Sequence, residues 1–395
     1  LAQGLAEARD AGNEERAAKW REALQRTDAR RVRIAEALGV EVHDVSLTIS
    51  VYMLAFAFGQ LFGGALSDSF GRRWVMLSGV AVFSLSSVLI ALSGNLTELL
   101  IWRAAQAFGA GFTAVSVPAI VRDRATGREA ATLFSLIGLI MIIAPAIAPT
   151  VGSAILAVSS WPMIFIFLAA YSAMMIVLLW FGLFAKLETI KRAPRDYRLL
   201  PAYLAVLSNP SALRFIMIIT LGFSSMLIFL THASYIYQKW FGLSEFGFSA
   251  VFAANIATMA GCNFLNRFLL KRMDPDHILK FSVPVQALAI GGLVAAAAFD
   301  IGLWMFVPCM MVSVGSLGMI GPNAQACAMH HFEHQAGTAA SIMGFTQFML
   351  AGAISAASAL VPESLINITL FMGACGFLCA ALALAPAKPL HAHPL

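Results

Sequence analysis

After residue 45 the chain is a train of long apolar runs separated by short polar loops. The runs lie near 46–66, 74–94, 99–120, 131–156, 161–184 and 213–235, then near 248–270, 278–299, 303–327, 337–361 and 365–386. A helix needs roughly 20 apolar residues to cross a hydrocarbon core about 30 Å thick. In lipid the backbone must also satisfy its own hydrogen bonds, so the pattern predicts eleven transmembrane helices. Pro118, Pro145, Pro149 and Pro322 fall inside the runs and predict bends or locally opened backbone. The longest polar interruption, 185–212, carries Lys186, Lys191, Arg192, Arg195 and Arg198, and it divides the helices into five and six. The expected organisation is an all-α polytopic membrane protein. A polar, charged segment (1–45) precedes a helical bundle (46–184), a linker (185–212) and a second helical bundle (213–395).

Residues 1–45 stand apart. They hold eight Lys or Arg and nine Asp or Glu, with Ala filling much of the remainder, and read as a soluble helix. Three readings stay open for this segment: a truncation or replacement of a first transmembrane helix, an amphipathic surface helix, or a binding module.

Composition agrees with a membrane chain. Apolar residues make up 59% and charged residues 12%, against roughly 45–50% and 25% in a soluble domain. That leaves too little polar surface for a soluble fold and too much hydrophobicity for a disordered one. The net charge of +5 could suggest nucleic acid, but the basic residues are spread over short loops. Counted by side, loops 67–73, 121–130, 185–214, 267–280 and the C-terminal tail hold 16 Lys or Arg, and the intervening loops hold only Lys239. This asymmetry places the first set, and the C-terminus, in the cytoplasm. The five cysteines (Cys262, Cys309, Cys327, Cys375 and Cys379) lie in or beside apolar runs of the second half without CxxC spacing, so free thiols are expected.

The loop after the first run reads Gly63-Gly64-Ala65-Leu66-Ser67-Asp68-Ser69-Phe70-Gly71-Arg72-Arg73. Glycine permits a tight turn, and a carboxylate there can cap a helix N-terminus or pair with arginine. This G-x3-D-x2-G-R-R pattern resembles the hallmark loop of the major facilitator superfamily, with Ser69 where the family usually has Arg. The third run carries Arg103-Ala104-Ala105-Gln106-Ala107-Phe108-Gly109, similar to the family's R-x-x-Q-G-x-G. Arg103 lies five residues past Glu98, so about 7–8 Å down the helix. A charge at membrane depth costs about 2.5–3.5 kcal/mol on insertion scales, which makes a functional role the first hypothesis and snorkelling to the interface the bland one. The fourth run carries Ala144-Pro145-Ala146-Ile147-Ala148-Pro149-Thr150-Val151-Gly152. It is similar to the family's antiporter motif in the form found in the Bcr/CflA branch of drug:proton antiporters. Val121-Arg122-Asp123, Leu187-Glu188-Thr189, Gly321-Pro322-Asn323-Ala324 and Ala336-Gly337-Thr338-Ala339-Ala340-Ser341 are further matches, and the resemblance covers about 34–386.

The resemblance implies two helical bundles, normally six helices each, that rock around a midplane cavity and exchange protons for a drug or small metabolite. The first recognisable run aligns with the family's second helix, so the family's first helix is expected to be missing. Uncoupled or uptake transport of one metabolite, and an inactive remnant, are the alternatives. Gly64, Asp68, Gly71, Arg72, Arg73 and Asp123 are implied as the conformational motif, and Pro145, Pro149 and Gly152 as the antiporter motif. In this branch the proton carrier is commonly an acid on the first helix, and here Arg103 has no carboxylate in view within the runs. His232, a histidine inside a run, is the other proton-coupling candidate, though a packing role is the bland alternative. Tyr52, Gln106, Tyr235, Asn255, Asn323 and Gln347 are candidate cavity residues, each equally able to serve as a hydrogen-bond link between helices. His330, His331, Glu333 and His334 read as a polar loop before a metal site. No Walker A, H-E-x-x-H or G-x-S-x-G pattern occurs, so nothing suggests an ATPase or another enzyme. The expected partners are the lipid bilayer, a small-molecule substrate and protons. No cofactor, metal or nucleic acid is expected, and the expectation is a monomer in the inner membrane.

Overall fold

The computed structural model describes residues 42–185, 199–332 and 335–385. The expectations for residues 1–33, for most of the basic linker, and for Glu333 and His334 therefore fall outside, or largely outside, the described residues. In chain order the helices are α1 (Val42–Phe70), α2 (Arg72–Ala91), α3 (Leu96–Arg124), α4 (Gly127–Val158) and α5 (Pro162–Leu178), the last extended by a π-turn segment, Leu179–Phe184. A short helix, α6 (Leu199–Leu207), lies within the interruption read as linker. Then follow α7 (Pro210–Ser234) with its own π segment, Tyr235–Trp240, α8 (Glu245–Leu269), α9 (Pro275–Ala298), α10 (Leu303–His330), α11 (Ala336–Ala359) and α12 (Leu365–Leu384). Among the described residues, eleven long helices thus occupy the eleven runs, and nine of them are long and apolar enough to cross a membrane by length and hydropathy alone.

Three loops are shorter than the apolar pattern suggested, and that read as 267–280 contracts to 270–274 between α8 and α9. The loop read as 67–73 contracts to the single residue Gly71 between α1 and α2, and that read as 121–130 contracts to Ala125 and Thr126 between α3 and α4. Polar residues end the apolar run without ending the helix. Gly71 has φ +89°, a backbone conformation that side chains disfavour, and so allows a one-residue reversal. Elsewhere ordinary caps set the ends. Asn209, Ser244 and Ser364 accept first-turn N–H bonds of α7, α8 and α12. Pro210 and Pro275 sit where no intrahelical N–H is required. Within the spans many hydroxyls turn back on their own helix, as in Ser116 to Phe112 O, Thr220 to Ile216 O and Ser316 to Val312 O, so they bring no unpaired donor into lipid.

By contacts the described residues fall into two compact units. One takes in 42–59, 77–111 and 149–185, and the other 60–76, 112–148, 199–332 and 335–385. The first has a small apolar centre of Ile90, Leu99 and Trp161. In the second, α7 packs on α10, α11 and α12, while α9 packs on α10 and α12 and α8 on α10. The same core takes in Val115, Ala119 and Val121 of α3 and Ala130, Ala131 and Phe134 of α4. One end of α1–α4 is therefore built into the same body as the six long helices of the second half. All five cysteines are free.

Candidate functional site

The site grows from how α11 begins. Its N-cap position is Gln335, which makes no side-chain cap bond, so the first-turn N–H groups need acceptors from elsewhere. Asp68, in the last turn of α1, supplies them. Its Oδ1 accepts the Gly337 N–H at 3.1 Å, and its Oδ2 accepts the Thr338 N–H and the Thr338 hydroxyl, both at 2.7 Å. These are the second and third positions of α11, the N–H groups an ordinary N-cap residue would satisfy. Asp68 is an N-cap supplied from another helix, and its charge meets the positive end of the α11 dipole.

The approach is close because two residues lack side chains. A Cβ on Gly64, one turn before Asp68, would overlap the Gly337 carbonyl oxygen and lie 2.6 Å from Ser341 Cβ. A Cβ on Gly337 would overlap the Gly64 carbonyl oxygen and come within 3.0 Å of Asp68 Oδ1. Arg72 then ties the carboxylate into its own half. Its Nη1 lies 2.7 Å from Asp68 Oδ1 and donates to Ser67 Oγ at 2.8 Å, and its Nε donates to Asp123 Oδ2 of α3 at 3.0 Å. The three charged side chains are only 3–10% exposed, so each charge depends on its partners. Next to Asp123, Arg122 reaches the opposite kind of terminus. Its Nε donates to Met329 O at 2.7 Å and its Nη2 to His330 O at 3.4 Å, at the C-terminus of α10. Arg73 stacks beside Trp74, 5.6 Å from the ring centre.

A second polar link, between α4, α8 and α10, lies in the same unit. Asn266 Nδ2 donates to Ser135 Oγ at 2.7 Å, and Asn323 Nδ2 donates to Asn266 Oδ1 at 2.6 Å and to Met319 O at 2.7 Å. Asn323 is fully buried here, joining helices. Also in this unit, His232 is buried with Nδ1 3.2 Å from Glu363 Oε1 and Nε2 3.1 Å from Ser358 Oγ. The Tyr235 hydroxyl donates to Glu363 O at 2.8 Å, so Tyr235 and His232 share one anchor in the α11–α12 loop. Asn255 is buried and donates to Val251 O of its own helix, and Gln347 is half-buried on α11.

The other unit contains Arg103, Gln106 and Tyr52 together. Arg103 Nη1 donates to Gln106 Oε1 at 2.7 Å, and buried Gln106 passes the chain on through Nε2 to Ser87 Oγ at 2.7 Å. The guanidinium lies 4.5 Å from the Tyr52 ring centre and 5.8 Å from that of Phe165. Arg103 is thus held by Gln106 and by two aromatic faces. Such cation–π contact is worth about 2 kcal/mol where water is excluded. Gly152 is buried in α4. The side chains of Pro145 and Pro149 lie outside the described residues.

Thr338, Arg122, Ser135, Asn266 and Glu363 were not singled out by sequence reasoning as site residues. Thr338 and Arg122 stand inside motifs that were, and the missing cap at Gln335 was the readable signal for the first. Nothing in the sequence pairs Asn266 with Ser135 across 131 positions.

Residues 32–356 match the profile of the Major Facilitator Superfamily, well over half of the chain. The chain belongs to this superfamily. Its relatives include a bicyclomycin resistance protein homolog of Haemophilus influenzae, 27% identical over 87% of this chain and 86% of the relative. Multidrug resistance protein D of Escherichia coli is 26% identical over 84% and 83%. Among solved structures, a bacterial homologue of the iron transporter ferroportin in an outward-facing state has a TM-score of 0.73 at 14% identity, covering 91% of this chain and 96% of that one. The proton:xylose symporter XylE has a TM-score of 0.68 at 14% identity, over 91% and 92%. These structures agree with the major facilitator fold. The chain is a multi-pass membrane protein of a transporter family, not of an enzyme family, and its resemblance to the Bcr/CflA branch is matched by the bicyclomycin resistance relative.

The glycine pair can be tested directly. Gly337→Ala should destabilise the purified protein by about 1–3 kcal/mol, the usual range for overpacking, seen as a lower apparent Tm in detergent. Gly352→Ala, on the same helix where a Cβ meets open space, should leave Tm unchanged or raise it. Equal effects of the two would show that α1 and α11 are not packed as described.

Proposed function

We propose that this transporter exports drugs or small metabolites from the cytoplasm in exchange for protons. In this reading it acts by alternating access in the inner membrane, as a monomer with its C-terminus inside. The observation that carries the reading is the capping of α11 by Asp68, a contact between helices of the two sequence halves built from charge and dipole and therefore reversible. By the count of basic residues this end faces the cytoplasm. With the contact made, the cytoplasmic side is closed, and substrate leaves outward. Breaking it lets the first-half helices part from α10 and α11 and admits substrate from within. Arg122, on the carbonyl end of α10, reinforces the same state. Drug export as the direction and class is supported by the names of the relatives.

Two places are candidates for proton coupling. Arg103 keeps its charge at any physiological pH, so it cannot deliver a proton. Its part is to hold a negative group when that group is ionised, and release it on protonation. His232 can itself exchange a proton, with Glu363 receiving the charged form. Tyr52 and Gln106 beside Arg103, with Tyr235, Asn255 and Gln347 in the second half, are proposed to line the substrate path. Asn323, at the centre of a buried link, acts there by fixing α8 against α10. Pro145, Pro149 and Gly152 are proposed to bend α4 and keep it close-packed, limiting leak.

Everted membrane vesicles energised to be acid inside test this reading. The wild-type chain should take up a fluorescent cationic dye and discharge part of the proton gradient. Asp68→Asn should cut uptake roughly 5–150-fold, the range of a 1–3 kcal/mol coupling, at unchanged protein level. Arg103→Ala should abolish proton-coupled uptake while expression is kept, and Arg103→Lys should restore only part. Dye movement without proton movement in the wild type would favour uncoupled transport of a metabolite. Undiminished coupling in Arg103→Ala would transfer the role to His232.

A further inference from the structure

The end of α8 holds a cationic cleft apart from the residues named above. Arg267 lies in the last turn of α8, and Lys271 follows one turn later. With Phe264, Phe268 and Leu270, and with Thr132 of α4, they line an open cleft of about 290 Å³. Phe264 and Phe268 are 68% and 54% exposed, on a helix long and apolar enough to span the membrane. Lys271 Nζ lies 5.7 Å from the Phe268 ring centre. Of the nearby charges, Arg128 pairs with Asp274 at 2.8 Å and Lys280 with Asp276 at 2.6 Å, while Arg272 lies 6.0 Å from the same Phe268 ring centre. Among the described residues, Arg267 and Lys271 have no carboxylate partner.

Two cations one turn apart repel each other, and the α8 C-terminal dipole compensates only in part. What would satisfy them is an anion. Where two cations stand at the end of a span, directly above exposed aromatic rings, the fitting anion carries its own hydrocarbon. We propose that the cleft binds an anionic glycerophospholipid, with its phosphodiester between Arg267 and Lys271 and its acyl chains along Phe264 and Phe268. The Thr132 hydroxyl already donates to Arg128 O, so α4 contributes a wall rather than a ligand.

The position gives the lipid a consequence. The cleft has α8 on one side and α4 on the other, and these helices are joined deeper by the bond from Asn266 to Ser135. A lipid seated against both favours the arrangement in which they touch. The site stands without the transport reading. Only this regulatory effect rests on it.

Native mass spectrometry of the full chain in detergent, with phosphatidylglycerol or phosphatidylethanolamine added, tests the proposal. The wild type should retain phosphatidylglycerol in preference, and the double variant Arg267→Ala/Lys271→Ala should lose that adduct roughly tenfold or more, from about 1 kcal/mol per basic residue. Its phosphatidylethanolamine adducts should be unchanged, which also shows that the variant is folded. Lys280→Ala, a neighbouring but paired cation, and the conservative Arg267→Lys/Lys271→Arg should both keep the lipid. Undiminished phosphatidylglycerol binding in the alanine double variant would overturn the site. Displacement of the lipid by inorganic phosphate would show a free-anion site and overturn the lipid assignment. A loss of lipid selectivity with normal proton-coupled dye uptake would refute the regulatory effect alone.

Discussion

At the turn from α10 to α11 two helix termini of opposite polarity lie close in sequence, and both draw partners from the first half of the chain. The amides at the start of α11 are taken by Asp68, and the last carbonyls of α10 by Arg122. Helix ends present roughly half a unit charge each, so a carboxylate at one and a guanidinium at the other form a complementary clamp. Arg72 joins the acidic arm to Asp123, the neighbour of Arg122, and makes the two arms one network. Hydrogen bonds to charged groups are worth about 1.5–3 kcal/mol each net. Three to Asp68 alone therefore favour the joined state by several kcal/mol. In the proposed cycle, an opposing contribution of similar size must come from substrate or proton binding, because a ligand shifts a conformational equilibrium only by its differential affinity.

Close packing makes the clamp specific. Gly64 and Gly337 let two backbones meet where any side chain would hold them apart, and without that approach Asp68 could not reach the second and third amides of α11. In the same unit the link from Ser135 through Asn266 to Asn323 is neutral and buried. Neutral amide links are cheap to bury when fully paired and costly when broken. The two seams therefore differ in kind: one is charged and sensitive to substitution by an isosteric neutral group, and the other is neutral. The cationic cleft at the end of α8 borders the neutral seam.

Much of this was legible before any coordinates. Apolar run length alone placed eleven helices, because lipid leaves the backbone few alternatives, and the G-x3-D-x2-G-R-R loop pointed Asp68 at a helix N-terminus or an arginine, both of which it meets. Loop lengths were misread since polar side chains do not stop a helix at the edge of the hydrocarbon; Gly71 and Gly127, with their positive φ, stand at the true turns. The setting of Arg103 was half visible. Gln106 is three positions away on the same helix face, whereas Tyr52 and Phe165 come from other helices and leave no trace in local spacing. Asn323 was read as either a cavity residue or a link between helices, and here it joins α8 and α10, a choice that polarity within an apolar run cannot make.

The central claim is that the Asp68 carboxylate holds the ends of the first-half helices against α10 and α11. A spin-label distance distribution between exposed positions 70 and 330, in a cysteine-free background, addresses it most directly. The wild type should give a dominant short distance at neutral pH without substrate. Asp68→Asn should move a major fraction, roughly fivefold or more in the population ratio, to a longer distance. An unchanged distribution in Asp68→Asn, with the protein folded and membrane-inserted, would contradict the account.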